Sequence, residues 1–179
     1  FITMGYKFFN EGNYQESILA FEKAIKTGVK AAVFAHVSNV FGYILPVEEM
    51  AAMCRKRGIP FIIDAAQSAG SIPISLKNLG ADFIAMPGHK GLYGPQGTGA
   101  LYVSPSLMPD TIIEGGTGSD SANLKNPDYL PDRFESGTIN CPGFCGLNEG
   151  IKFVPSEGFS AIQEKQNTGR SAPEKGYSS

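Results

Sequence analysis

The sequence predicts an α/β protein built on a mostly parallel sheet with helices on both faces. Short apolar runs of strand length alternate with stretches whose apolar residues recur at helical spacing, the pattern of repeated strand–helix units. Three of those runs, Ala31–Ala35, Ile59–Ile63 and Phe83–Met86, are continuously apolar, as strands covered by helices are. The 22 glycines and 12 prolines gather between the runs, where loops that carry binding groups belong.

Each element has its own signal. Tyr14, Ile18, Phe21, Ala24 and Ile25 predict a helix over 11–27, and Gly28 stops it. Ala31–Ala35 follows as the first strand, then a loop from Ser38 to Leu45. Pro46 suits a first helical position; Val47, Met50, Ala51 and Cys54 share one face, and Gly58 closes that helix. The strand Ile59–Ile63 ends at Asp64. A short helix over Ser75–Leu79 ends at Gly80, and Phe83–Met86 and Gly99–Val103 supply two more strands. Residues 109–132 are dense in Gly, Asp, Asn and Pro and predict a loop. Leu147, Ile151 and Phe153 predict a last helix starting near Pro142. This divides the chain into a helical opening (1–28), a core (29–155) and a polar, partly disordered tail (156–179).

Composition removes several functions. The 179 residues carry a net charge of −2 with unclustered basic residues, which argues against a nucleic-acid partner. No apolar run approaches the roughly 20 residues of a membrane span, so no membrane is expected. Three cysteines form no even disulfide framework and no signal peptide is visible, which predicts a cytoplasmic protein, although Phe1 is not a natural start. Two histidines and scattered cysteines give no zinc spacing. Cys141 and Cys145, four apart, read as small packing residues.

The informative chemistry lies between Met86 and Gly99. Lys90 stands in a glycine-rich loop directly after an apolar strand, with His89 beside it. A strand-anchored lysine with little steric crowding suits a Schiff base to pyridoxal 5'-phosphate. That cofactor also needs a carboxylate facing its pyridine nitrogen. Asp64, at the end of the neighbouring strand, is the candidate, and Gln67 is the candidate donor to the ring's phenolic oxygen. His89 can donate to the phosphate. In open α/β sheets ligands sit at the carboxyl ends of strands, where Asp64 and the Lys90 loop both fall.

Four motifs in register carry a family resemblance: Ala35-His36-Val37-Ser38-Asn39-Val40-Phe41-Gly42, Asp64-Ala65-Ala66-Gln67, Gly88-His89-Lys90 with Tyr93-Gly94-Pro95, and Phe134-Glu135-Ser136-Gly137-Thr138. Together they resemble class V aminotransferases, and within them cysteine desulfurases and selenocysteine lyases. The resemblance implies the fold-type I pyridoxal phosphate architecture, a homodimer when full length, and a small amino-acid substrate. It assigns the Schiff base to Lys90, the pyridine partner to Asp64, the phenolic-oxygen donor to Gln67 and a phosphate ligand to His89. It also places Asn39 near the cofactor and substrate carboxylate, and Thr138 at the phosphate of the partner subunit. Pro87 departs from the pattern, standing where these desulfurases usually carry a phosphate-binding serine. The implied chain is a central fragment, truncated at both ends. Desulfuration leads; aminotransfer and a non-catalytic fragment that keeps the fold are the alternatives. Gly5 to Ile25 also resembles a single tetratricopeptide repeat, which would make the opening an interaction module. One copy cannot bury a core, so an amphipathic helix leading into the first strand is the plainer expectation.

Overall fold

A computed structural model describes Lys7 and residues 11–170, apart from the side chains of Tyr14 and residues 169 and 170. Most of the opening motif of the helical-repeat resemblance lies outside the described residues. Helix α1 (Tyr14–Ile25) begins where the Asn13 side chain accepts a hydrogen bond from the Glu16 amide. It runs into β1 (Ala32–Ala35), α2 (Val47–Arg55), β2 (Phe61–Asp64), the one-turn α3 (Leu76–Leu79), β3 (Phe83–Pro87) and β4 (Gly99–Val103). A long loop containing a 3₁₀ turn at Asp132–Phe134 leads to α4 (Cys141–Glu157) and α5 (Phe159–Arg170). Pro46 caps α2 from just outside its first turn.

The strands lie in chain order, β1-β2-β3-β4. The first three are parallel and β4 runs antiparallel to β3. The direction of β4 follows from its connection: a parallel neighbour needs a crossover of a dozen or more residues, usually helical, and the glycine-rich segment between Gly88 and Thr98 forms no helix.

One face of the sheet holds the core. Phe34, Phe61, Ile63 and Ile84 meet Phe21 and Ile25 of α1 and Met50, Ala51 and Cys54 of α2. Phe21 and Phe34 pack edge to face with centroids 5.4 Å apart. Helix α1 is thus an amphipathic helix seated on the sheet. The opposite face carries the rows Val33-Ile62-Phe83-Val103 and Ala35-Asp64-Ala85-Leu101. Among the described residues it is open at its edges, with Val33 63% and Leu101 56% exposed.

The residues that bury α4 differ from the expected apolar ones. Ile151 and Phe153 are exposed, and the buried stripe is Gly143, Leu147, Gly150 and Val154. Two glycines in that stripe let the helix press against backbone: a Cβ on Gly150 would lie 2.3 Å from the Leu92 carbonyl oxygen. Cys141 and Cys145 flank the stripe and are exposed rather than packed. The segment after residue 155 carries α5, with Ile162 buried, through Arg170. No helix among the described residues is long and apolar enough to cross a membrane.

Candidate functional site

The site is built at the carboxyl ends of β1, β2 and β3. Asp64 closes β2 with its side chain on the open face, opposite the buried Ile63. Its register partners on both sides are alanines, Ala35 and Ala85. Small neighbours leave the space over the carboxylate clear. The Asp64 Oδ1 accepts a hydrogen bond from the Ala66 amide at 2.8 Å, which fixes the carboxylate at the strand tip, and the residue is exposed.

The β1–α2 loop is held by short-range bonds: the Ser38 amide donates to the Tyr43 carbonyl at 2.9 Å, and Ser38 Oγ accepts from the Phe41 amide at 3.2 Å. This turns Asn39 towards the β2–α3 loop, where Gln67 Nε2 donates to Asn39 Oδ1. Two predicted cofactor residues 28 positions apart are thereby joined. They also share a wall of a cavity of about 390 Å³; Asp64, His89 and Lys90 do not line that cavity.

Lys90 and His89 are exposed on the β3–β4 loop. Its neck is closed by Gly88 N–H to the Thr98 carbonyl and Gly94 N–H to the Gly88 carbonyl, both 2.7 Å. Its tip turns at Lys90–Tyr93, where the Tyr93 amide donates to the Lys90 carbonyl at 2.9 Å and Tyr93 adopts φ 55°. The loop is docked onto the one that carries Asp64 and Gln67. A Cβ on Gly70 would lie 1.8 Å from the Gly91 carbonyl oxygen, and a Cβ on Gly91 would lie 2.2 Å from the Ala69 carbonyl oxygen. Only two glycines permit that approach, because the backbones touch where side chains would stand. Gly70 also has φ +78°, which glycine alone adopts freely. Pro87, expected as a serine, ends β3 opposite Gly99.

Thr138 stands apart from the cavity shared by Asn39 and Gln67. It is exposed beside Gly137, whose amide donates to the Gly116 carbonyl at 2.9 Å within the 109–140 loop.

Sequence reasoning missed two groups of residues. The glycine contacts at Gly70 and Gly91 had no signal beyond the glycines themselves. Gln163 and Gln166 of α5 line the 390 Å³ cavity, from a segment expected to be tail. His36, noted only within its motif, is 7% exposed and its Nδ1 is buried without a hydrogen-bond partner. Burial pushes the imidazole below its ordinary pKa, against a smaller upward pull from the Glu48 carboxylate. Its backbone bonds to the Asp64 carbonyl and the Leu45 amide tie the ends of β1 and β2 together.

Comparison with known proteins decides the family: the aminotransferase class-V family model matches residues 6–176. The chain belongs to the aminotransferase class-V family. Among its relatives, a probable cysteine desulfurase of Pyrococcus abyssi is 41% identical over 152 residues, covering 81% of this chain and 37% of the relative. A probable cysteine desulfurase of Chlamydia muridarum is 40% identical over 146 residues, covering 78% and 36%. The apo cysteine desulfurase structure from Thermococcus onnurineus NA1 superposes with a TM-score of 0.67 at 37% identity, covering 86% of this chain and 40% of that one. The chain thus spans little more than a third of the length of these curated relatives. The expected fold class stands: a mostly parallel sheet with helices, shared with the class V structures.

Proposed function

We propose that this chain is the cofactor-binding part of a pyridoxal phosphate-dependent enzyme acting on a small amino acid, with cysteine desulfuration as the reaction. The observation that carries the reading is the glycine-mediated docking of the Lys90 loop onto the Asp64–Gln67 loop at neighbouring parallel strand ends. The residues fit the cofactor's demands. Asp64 offers a carboxylate over alanine neighbours for a protonated ring nitrogen. Gln67, with one amide hydrogen donated to Asn39, keeps the other for the phenolic oxygen, and His89 offers an imidazole for the phosphate. Lys90 is exposed at the loop tip, free to be the covalent attachment point.

Bound pyridoxal phosphate supplies an electron sink for a carbanion at the substrate α-carbon. With the cofactor bound, the Lys90 amine would take and return the proton at that carbon. Asp64 would hold positive charge on the ring nitrogen by ion pairing. The binding part comprises residues 29–155 with α1 packed on its sheet. In the full protein we expect a homodimer in the cytoplasm. The exposed Thr138 would reach the partner's cofactor phosphate, and three free cysteines suit a reducing compartment.

Aminotransfer is the second reading, favoured by the description of the family model itself. A non-catalytic chain that keeps the sheet is the third, motivated by Pro87, whose side chain offers the phosphate no hydroxyl. Titration of the chain with pyridoxal phosphate, borohydride reduction and peptide mapping tests the proposal. Labelling of Lys90 at micromolar cofactor supports it, with no label in Lys90→Ala. Labelling absent, or spread over other lysines, refutes it.

A further inference from the structure

Tyr93, in the same loop as Lys90, is the one described residue other than glycine with a positive φ, 55°. A bulky side chain is rarely found in that left-handed region. Glycines stand at 91 and 94, and neither has a positive φ. The loop therefore places its left-handed turn on an aromatic residue although glycine is at hand on both sides. Backbone held against its preference persists where the surroundings over-determine it, and it gathers at functional sites.

Helix α4 supplies those surroundings. The rings of Tyr93 and Phe153 meet edge to face, with centroids 5.1 Å apart and planes at 69°. About one turn earlier on α4, a Cβ on Gly150 would lie 2.7 Å from the Tyr93 carbonyl carbon and oxygen, so the strained residue rests its backbone on the helix. A further turn back, Leu147 abuts the neck of the loop: a Cβ on Gly94 would lie 2.7 Å from its Cδ1. Positions three apart are neighbours on a helix surface, so Leu147, Gly150 and Phe153 make one continuous support. The turn at Tyr93 closes the loop around the lysine. Its own amide donates to the Lys90 carbonyl at 2.9 Å, and the next amide, of Gly94, donates to the Gly88 carbonyl at 2.7 Å. Rotating Tyr93 to a negative φ would reorient those two amides relative to each other, and both bonds could not be kept.

We infer that Tyr93 is a positioning residue for Lys90, and that Phe153 and Gly150 of α4 hold it in its strained turn. This deepens the pyridoxal phosphate reading and rests on it for the role of the lysine. The Lys90 loop is then fixed from two sides, by the Gly70–Gly91 contact and by α4. Phe153, expected to face the core and found 40% exposed, has its ring contact with Tyr93 instead.

The test compares the chain with Phe153→Ala, Phe153→Tyr, Tyr93→Gly and the double variant Tyr93→Gly/Phe153→Ala. Phe153 lies on the surface, so alanine there empties no core. Without cofactor, amide hydrogen exchange is followed at Gly94 in the loop and at Ala65 in the sheet, whose N–H donates to the Ala85 carbonyl. Phe153→Ala should speed exchange at Gly94 about tenfold, the worth of one aromatic pair, and leave Ala65 unchanged. Borohydride trapping of pyridoxal phosphate at Lys90 should slow by a similar factor. Phe153→Tyr keeps the ring and should match the parent. Glycine adopts a left-handed turn without a prop, so Phe153→Ala should change nothing further in the Tyr93→Gly background. Unchanged exchange at Gly94, equal acceleration at Ala65, or the same Phe153→Ala effect with glycine at 93 overturns the inference. Trapping at Lys90 whose rate ignores Phe153→Ala sinks the positioning role alone. No trapping in the parent, with Gly94 responding as expected, sinks the cofactor reading and leaves a loop held by α4.

Discussion

Replacing Gly91 by alanine isolates the contact that positions the lysine. The new methyl carbon would start 2.2 Å from the Ala69 carbonyl oxygen and 2.9 Å from Ser71 Oγ. An ordinary carbon–oxygen contact is about 3.3–3.6 Å, so the Lys90 loop must retreat by roughly 1 Å from the loop bearing Asp64 and Gln67. Backbone on both sides makes the strain hard to relieve, and overpacking of this kind costs about 1–3 kcal/mol. For a chain of this size that lowers Tm by about 2–12 °C. A 1 Å misplacement of reacting groups can slow a step about a hundredfold. The expected result is therefore a modest thermal loss with a much larger loss in the rate of borohydride-trapped pyridoxal phosphate at Lys90. Gly115→Ala is the control, since a Cβ there meets nothing within 4 Å and its φ is not positive; it should stay within about 0.5 kcal/mol of the parent. If Gly91→Ala melts and labels like the parent, the glycine contact does not position Lys90.

Asp64→Asn removes the charge offered to the ring nitrogen and should weaken pyridoxal phosphate binding by about 10- to 100-fold, read by fluorescence titration, with folding retained. Leu147→Ala empties the pocket between α4 and the Gly88–Gly94 backbone and should cost about 2–5 kcal/mol in denaturant unfolding. The buried His36 has its pKa lowered in the fold, so the unfolded chain takes the proton first. Stability should be full above an ordinary imidazole pKa of roughly 6.5 and fall as pH drops below it, until the buried ring itself protonates. His36→Leu should remove that part of the slope, measured by urea unfolding between about pH 5 and 8. Native thiol labelling should be rapid at Cys141 and Cys145 and slow at Cys54, which is fully buried with its thiol pushed up by burial.

Strand identity and the placing of Asp64 and Lys90 were legible because continuous apolar runs announce covered strands and their ends mark ligand-binding loops. The Asn39–Gln67 bond was legible only as two residues of one resemblance; their pairing depends on the closure of the β1–α2 loop by Ser38 and Tyr43. The packing of α4 was hidden because its contact residues include Gly143 and Gly150. A glycine adds nothing to an apolar periodicity, yet here it makes the closest approach. Helix α5 was hidden for a related reason: it buries Ile162 within an otherwise polar stretch, which reads as a tail.

The antiparallel return of β4 has a consequence for the order of assembly. Gly88 and Thr98 are near neighbours in sequence, so the hairpin that bears the lysine closes at small entropic cost. Pairing β1 with β2, and β2 with β3, joins residues some twenty to thirty positions apart and costs more. The hairpin that carries Lys90 is therefore shaped early, and the strand that ends at Asp64 is delivered to a loop already formed.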